Sequence, residues 1–113
     1  MTSIHLPHDH GQLSDDLLNH MPQADEFEKI ADLFKQLSDN SRIRIFWILC
    51  HCEQCVINLS AIVDMSSPAV SHHLKQLKSS GLIVSRREGK EVYYQAAETP
   101  QVKLLHDMIE QLI

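Results

Sequence analysis

No apolar run in these 113 residues approaches the roughly 20 needed to cross a bilayer. The opening MTSIHLPHDHG likewise has no lysine or arginine ahead of an apolar stretch, as a secretory leader would. Neither a membrane protein nor an exported one is expected, and the cytoplasm is the expected compartment. Cysteine is absent outside one place. Cys50, Cys52 and Cys55 fall within six residues, so the three cannot all pair inside one chain, and in a reducing compartment they read as thiols or metal ligands rather than structural disulfides. Internal repeats and low-complexity tracts are also missing. A chain of this length can bury one core and leaves little room for a second.

The formal net charge of -5 argues at first sight against a polyanionic partner, but the average hides a segregation. Residues 1 to 40 carry eight acids against Lys29 and Lys35, whereas residues 66 to 90 carry Lys75, Lys78, Arg86, Arg87 and Lys90 against Glu88 alone. One surface of an acidic protein can therefore be basic, although charge by itself leaves open that both are ordinary solvated faces.

Residues 1 to 24 mix His5, His8, His10 and His20 with Pro7, Gly11 and Pro22 and show no sustained apolar period, so a flexible histidine-containing arm is expected. The ordered domain, residues 25 to 113, opens with Phe27, Ile30, Phe34 and Leu37 at spacings of three and four, an amphipathic helix. Asn40 or Ser41 is a natural cap for a second helix, apolar nearly all round through Ile43, Ile45, Phe46, Trp47, Ile48 and Leu49. A short helix over Asn58–Val63 and a longer one capped by Ser67 with Pro68 at its first position make a helix-turn-helix outline. Gly81 closes that helix. Two β-rich runs, Leu82–Val84 and Glu91–Gln95, flank Glu88-Gly89-Lys90 as a hairpin or wing, and Val102, Leu105, Ile109 and Leu112 mark a last amphipathic helix. The expected fold is mainly α with a small β-hairpin, a winged helix-turn-helix domain.

A helix entering the major groove needs small or hydrogen-bonding side chains on its outer face, because base edges are read by donors and acceptors at contact distance. Ser71, His72, Lys75 and Gln76 meet this need, off the inward stripe of Val70, Leu74 and Leu77. Ser66 and Ser67 stand at the helix mouth, where backbone N–H groups can meet a phosphate, and Arg86, Arg87 and Lys90 on the hairpin would hold the flanking backbone. His73 borders the apolar stripe and reads as a core-edge residue. The partner these residues point to is double-stranded operator DNA, with a protein-binding winged helix as the alternative.

Leu37-Ser38-Asp39-Asn40-Ser41-Arg42-Ile43-Arg44-Ile45, Cys55-Val56-Ile57-Asn58-Leu59, the run Ser67–Leu77, Gly81-Leu82-Ile83 and the run Arg86–Tyr94 resemble, in this order, the successive signatures of ArsR/SmtB-type metal-responsive repressors. The resemblance covers about residues 25 to 113. It implies a homodimer paired through its first and last helices, an inducer that weakens operator binding, and base reading by the positions of Ser71 and His72.

Three thiols and an imidazole in Cys50-His51-Cys52-Glu53-Gln54-Cys55 suit a divalent or soft metal ion, zinc before others, and Cys52-x-x-Cys55 has the spacing that lets two sulfurs converge. Cys50 continues an apolar helix and reads as a buried small hydrophobe, with Cys50, His5, His8 and His10 kept as further ligands. The resemblance also shows departures. The family's Glu-Leu-Cys-Val-Cys-Asp-Leu box survives here as Cys55 alone, with Ile57 at its second cysteine and Asn58 at its acid. The Asp-x-His ligands of the family's last helix are replaced by Thr99-Pro100-Gln101-Val102, leaving His106 and Glu110 as an i,i+4 surface pair. A thiol redox or reactive-sulfur switch at Cys52 and Cys55 is the competing reading. A Cys-x-x-Cys oxidoreductase would need a strand ahead of the motif that this chain lacks, so an enzyme is not expected.

Overall fold

The computed structural model describes residues 5–8, 11 and 14–113, which fall into two units, residues 1–31 and 32–113. In the first, the stretch read as an arm carries a short helix, α1 (Asp15–His20). Ser14 caps it by accepting from the Leu17 N–H at 3.2 Å, and Asp15, Asp16 and His20 complement its dipole at the two ends. Six residues without a buried side chain leave no apolar period to read. Helix α2 (Ala24–Gln36) begins in this unit and runs into the second. Phe27, Ile30 and Phe34 along it are exposed.

The second unit is built on α3 (Asn40–His51), whose Ile45, Phe46, Ile48 and Leu49 are buried. Its cap is Asp39, one residue earlier than the pattern suggested, which accepts from the Arg42 N–H at 2.9 Å. After Cys52 the chain extends as β1 (Gln54–Cys55) and at once re-enters a helix, α4 (Val56–Val63), two residues ahead of the predicted start. Asp64 ends α4 at φ 54°, a left-handed conformation that Asp tolerates better than most residues. Ser66, rather than Ser67, then caps α5 (Ser67–Ser79) by accepting from the Ala69 N–H at 3.3 Å.

Gly81, at φ 77°, lets the chain leave α5 with the Leu82 N–H bonded to the Leu77 carbonyl at 3.0 Å, the six-to-one bond of a Schellman stop. β2 (Ile83–Glu88) and β3 (Glu91–Ala96) pair antiparallel with Ser85 opposite Tyr94 and Glu88 opposite Glu91, and Gly89 at φ 62° makes the tight turn. The expected hairpin is thus the larger part of a three-stranded sheet of order β1-β3-β2, since Cys55 lies opposite Tyr93 and Gln54 opposite Tyr94. A two-residue strand is too short to announce itself in a sequence. Helix α6 (Pro100–Leu112), capped by Thr99, closes the unit with Val102 and Leu105 buried.

The core gathers Ile45, Phe46 and Leu49 of α3, Leu59 and Val63 of α4, Val70, Leu74 and Leu77 of α5, and Leu82 and Ile83 at the start of the wing. Each fully buried side chain of this size contributes about 1.5–3 kcal/mol. Three helices and a hairpin are thereby held as one body, which is what an outward-facing α5 requires. No helix among the described residues is long and apolar enough to cross a membrane.

Candidate nucleic-acid interface and metal centre

Helix α5 divides along its length. Val70, His73, Leu74 and Leu77 face the core, while Ser71, His72 and Lys75 are exposed and Gln76 is half-buried beside them. Neighbouring histidines take opposite roles: His72 projects outward and His73 is only 8% exposed.

His73 belongs to a network that ties the C-terminus of α2 and the N-terminus of α3 to α5. Arg42 donates through Nε to His73 Nδ1 at 3.2 Å and through Nη1 to Gln36 Oε1 at 2.8 Å, and Gln36 Nε2 donates to Asp32 Oδ1 at 3.4 Å. With Nδ1 accepting, the ring is the neutral Nε2–H tautomer, and Nε2 stands 3.9 Å from Asp39 Oδ1. Burial lowers the His73 pKa from its ordinary value, Asp39 partly opposing and Arg42 and His72 reinforcing. Asp39 is held below the usual carboxylate range, first by the Arg42 backbone N–H that it caps. Arg42 and Gln36 carried no signal in the sequence beyond a polar exception at a helix start and the end of a helix.

The wing cations separate into one strut and two free charges. Arg86 donates to Glu53 through Nε at 2.8 Å and Nη2 at 2.6 Å, reaches Glu88 Oε2 through Nη1 at 2.6 Å, and lies 4.8 Å from the centre of the Tyr93 ring. Its guanidinium, expected at a phosphate, is occupied pinning the wing to the α3–α4 link, and these hydrogen bonds hold the Glu53 carboxyl below its usual range. Arg87, Lys90 and Lys75 are exposed and have no side-chain partner among the described residues. Lys78 is bonded to Ser85 Oγ at 2.7 Å, joining α5 to β2. At the helix mouth the Ser66 hydroxyl is used in capping, and Ser67 Oγ is 3.2 Å from Ser60 Oγ.

The cysteines are free and form no group of three metal donors among the described residues. Cys50 is half-buried against the core, and burial, with the Glu110 charge behind it, pushes its thiol up to about 11. Cys52 is exposed at the end of α3, its Sγ 3.6 Å from the Ile48 carbonyl oxygen and 3.5 Å from Gln54 Nε2. Cys55 is half-buried and stands at the N-terminus of α4. His5 and His8 belong to the N-terminal unit, and His10 lies outside the described residues.

Among the described residues, the group of three metal-binding side chains that does converge is His51, His106 and Glu110. His51 Nε2 is 3.1 Å from Glu110 Oε1, His106 Nε2 is 3.0 Å from the same oxygen, and the two Nε2 atoms are 3.1 Å apart. Trp47 Nε1 donates to that oxygen at 2.9 Å, and its indole lies 4.3 Å from the His51 ring. These hydrogen bonds, from His51 first and then Trp47, hold the Glu110 carboxyl below its ordinary range. The i,i+4 pair read as a surface feature therefore has a third member from another helix. His51 and His106 also border a cleft of about 690 Å³, between the end of α3, the end of β3 and the start of α6, which Cys50 and Cys52 line as well.

An exposed, hydrogen-bonding helix packed on two others and followed by a cationic hairpin defines a winged helix-turn-helix DNA-binding protein. Residues 39–85 match the family model described as bacterial regulatory protein, arsR family. The chain is 36% identical over 88 residues to a transcriptional repressor SmtB homolog of Synechocystis sp., covering 78% of this chain and 67% of that protein. It is 38% identical over 81 residues to the arsenic resistance transcriptional regulator ArsR2 of Pseudomonas putida, covering 70% of this chain and 69% of that one. A homodimeric winged helix-turn-helix DNA-binding domain from Mycobacterium bovis superposes with a TM-score of 0.71 at 27% identity, covering 90% of this chain and 88% of that one. The chain belongs to the arsR family of bacterial regulators, which act on transcription and are not enzymes.

Proposed function

We propose that this chain is a homodimeric, sequence-specific repressor that reads operator DNA with α5 and whose operator affinity is set by a metal ion. The observation that carries the DNA reading is the split of α5: Ser71, His72 and Lys75 project from a helix whose other face is locked by the core and by Arg42. Arg87 and Lys90, free of partners among the described residues, supply the backbone contacts of the wing. Ser66, Ser67 and Gln76 frame the helix mouth and side, and Arg86 holds the wing at its angle. Pairing of two copies is supported by the exposed apolar residues Phe34, Leu104, Met108 and Leu112 and by the homodimeric relative.

For the metal, Cys52 closes α3 and Cys55 opens α4, so drawing both sulfurs onto one ion would shift α4, on which α5 packs. That site requires ligands beyond the two thiolates, because the cysteines form no cluster of three donors among the described residues. Operator and random DNA titrated at several salt concentrations test the reading. Ser71→Ala and His72→Ala are expected to weaken operator binding selectively, and Arg87→Ala to weaken both and lower the salt slope by about 1. Equal losses on both DNAs for the helix variants would displace α5 as the reading surface.

A further inference from the structure

From the convergence of His51, His106 and Glu110 we infer a divalent-cation site inside each protomer, separate from the cysteines, that takes an ion suited to imidazole and carboxylate, such as Zn²⁺ or Co²⁺. The three donor atoms form a triangle with sides of 3.0–3.1 Å. Ligands about 2.0–2.1 Å from a tetrahedral zinc lie about 3.3–3.4 Å from one another. An expansion of a few tenths of an ångström, within reach of side-chain torsion, opens the triangle onto an ion. The arrangement has little to recommend it otherwise. Two Nε2 atoms 3.1 Å apart can share only one proton, and both compete with the Trp47 N–H for a single carboxylate oxygen.

The surroundings are those of a metal ligand set. Trp47 donates to the same carboxylate oxygen and so orients it, the role that outer hydrogen-bond donors play around metal sites. His106 and Glu110 are one helical turn apart on α6, and His51 is the last residue of α3, so two rigid elements present the donors. The side chains of His51 and Glu110 are 46% and 42% exposed and the cleft adjoins His51 and His106, which leaves a path for the ion and a fourth position for water or a further ligand. Nitrogen and oxygen donors select borderline ions rather than the softest ones.

The regulatory consequence rests on the repressor reading; metal binding itself does not. An ion here would clamp α6 to the end of α3. Because α6 carries the exposed Leu104, Met108 and Leu112, the clamp would set the angle at which two copies meet and hence the distance between their reading helices.

The test uses the full chain, reduced, titrated with Co²⁺ and followed by ligand-field absorption and by the fluorescence of Trp47, the single tryptophan. The expected result is one Co²⁺ per protomer bound with ligand-field absorption and quenching of Trp47, a signature that persists in Cys52→Ser/Cys55→Ser, where no sulfur-to-cobalt charge-transfer band can arise. His106→Ala and Glu110→Gln should each weaken this binding at least tenfold, with unchanged circular dichroism, while the double variant Cys52→Ser/Cys55→Ser should keep the Trp47-quenching ion at natural affinity. Undiminished binding by His51→Ala and His106→Ala in the Cys52→Ser/Cys55→Ser background, or loss of the Trp47 quenching with the cysteines alone, would overturn the site. Operator titrations with Zn²⁺ separate the remaining possibilities. A change of about fivefold or more in operator affinity that His106→Ala abolishes supports the clamp. Stoichiometric binding through the three residues with no such change keeps the site and overturns its coupling to DNA. Failure of the metal-free protein and the metal-loaded protein alike to bind any operator would overturn the repressor reading alone.

Discussion

Replacing Arg42 with methionine removes the one side chain that satisfies both Gln36 and His73. Gln36 is 7% exposed and His73 8%, so water cannot readily replace the lost donors at Gln36 Oε1 and His73 Nδ1. Leaving a buried acceptor unmet costs about 1–3 kcal/mol, and two of them about 2–6 kcal/mol, a large part of the roughly 5–15 kcal/mol that holds a domain together. With a urea m value of about 2 kcal/mol/M the midpoint should fall by about 1–3 M. The double-mutant cycle with His73→Leu isolates the bond. His73→Leu alone strands the Arg42 Nε donor, whereas the pair Arg42→Met/His73→Leu removes donor and acceptor together, so the double variant should be less destabilised than the two losses added. A coupling of about 1–3 kcal/mol is expected for a charge-assisted bond. Operator affinity of the folded Arg42→Met protein should drop at unchanged salt slope, because His73 sits beside His72 and in the same turn as Ser71. A coupling below about 0.5 kcal/mol would refute the view that this bond locks the reading helix.

His73 also predicts a pH dependence. Its folded pKa is lowered, chiefly by burial, so its contribution is complete above the ordinary histidine value of about 6.5 and is lost as pH falls from there through the folded value. Thermal midpoints should decline over that window in the natural chain and decline less in His73→Leu. Met108→Glu on the exposed face of α6 should raise the dimer dissociation constant at least tenfold by sedimentation, since burying such a side chain is worth about 1.5–3 kcal/mol and a charge there opposes it. Cys55→Ser and, to a lesser degree, Cys52→Ser are expected to leave dimerisation and operator binding intact while removing any inducer response that runs through the thiols. An undiminished response in the double variant excludes the cysteines as the sensing site.

Much of the fold was legible because helices and hairpins are written in short-range patterns. The three- and four-residue spacing along α2, α5 and α6, the serine and threonine caps, and the glycines at 81 and 89 lie within a few residues of what they determine. The exposed face of α5 followed from the same periodicity, which put Val70, Leu74 and Leu77 inward and left Ser71, His72 and Lys75 outside. Caps slipped by one residue, to Asp39 and Ser66, because adjacent Asp, Asn and Ser residues are each able to accept from a helix N-terminus. The two-residue strand β1 and the six-residue helix α1 fall below the length at which a period can be recognised.

What tertiary structure alone decided are the meetings between side chains far apart in the chain. Arg86, read as a phosphate contact, is met in the fold by Glu53, 33 residues away. His106 and Glu110 looked like a solvated pair until α6 packed so that His51, 55 and 59 residues away, faced both. The three cysteines, close in sequence, fall on a helix, at its C-cap and at the N-cap of the next helix, and do not make a group of three donors among the described residues. Periodicity records which face of an element is buried. Which donors then converge depends on the packing of one element on another, and no spacing along a single element encodes that.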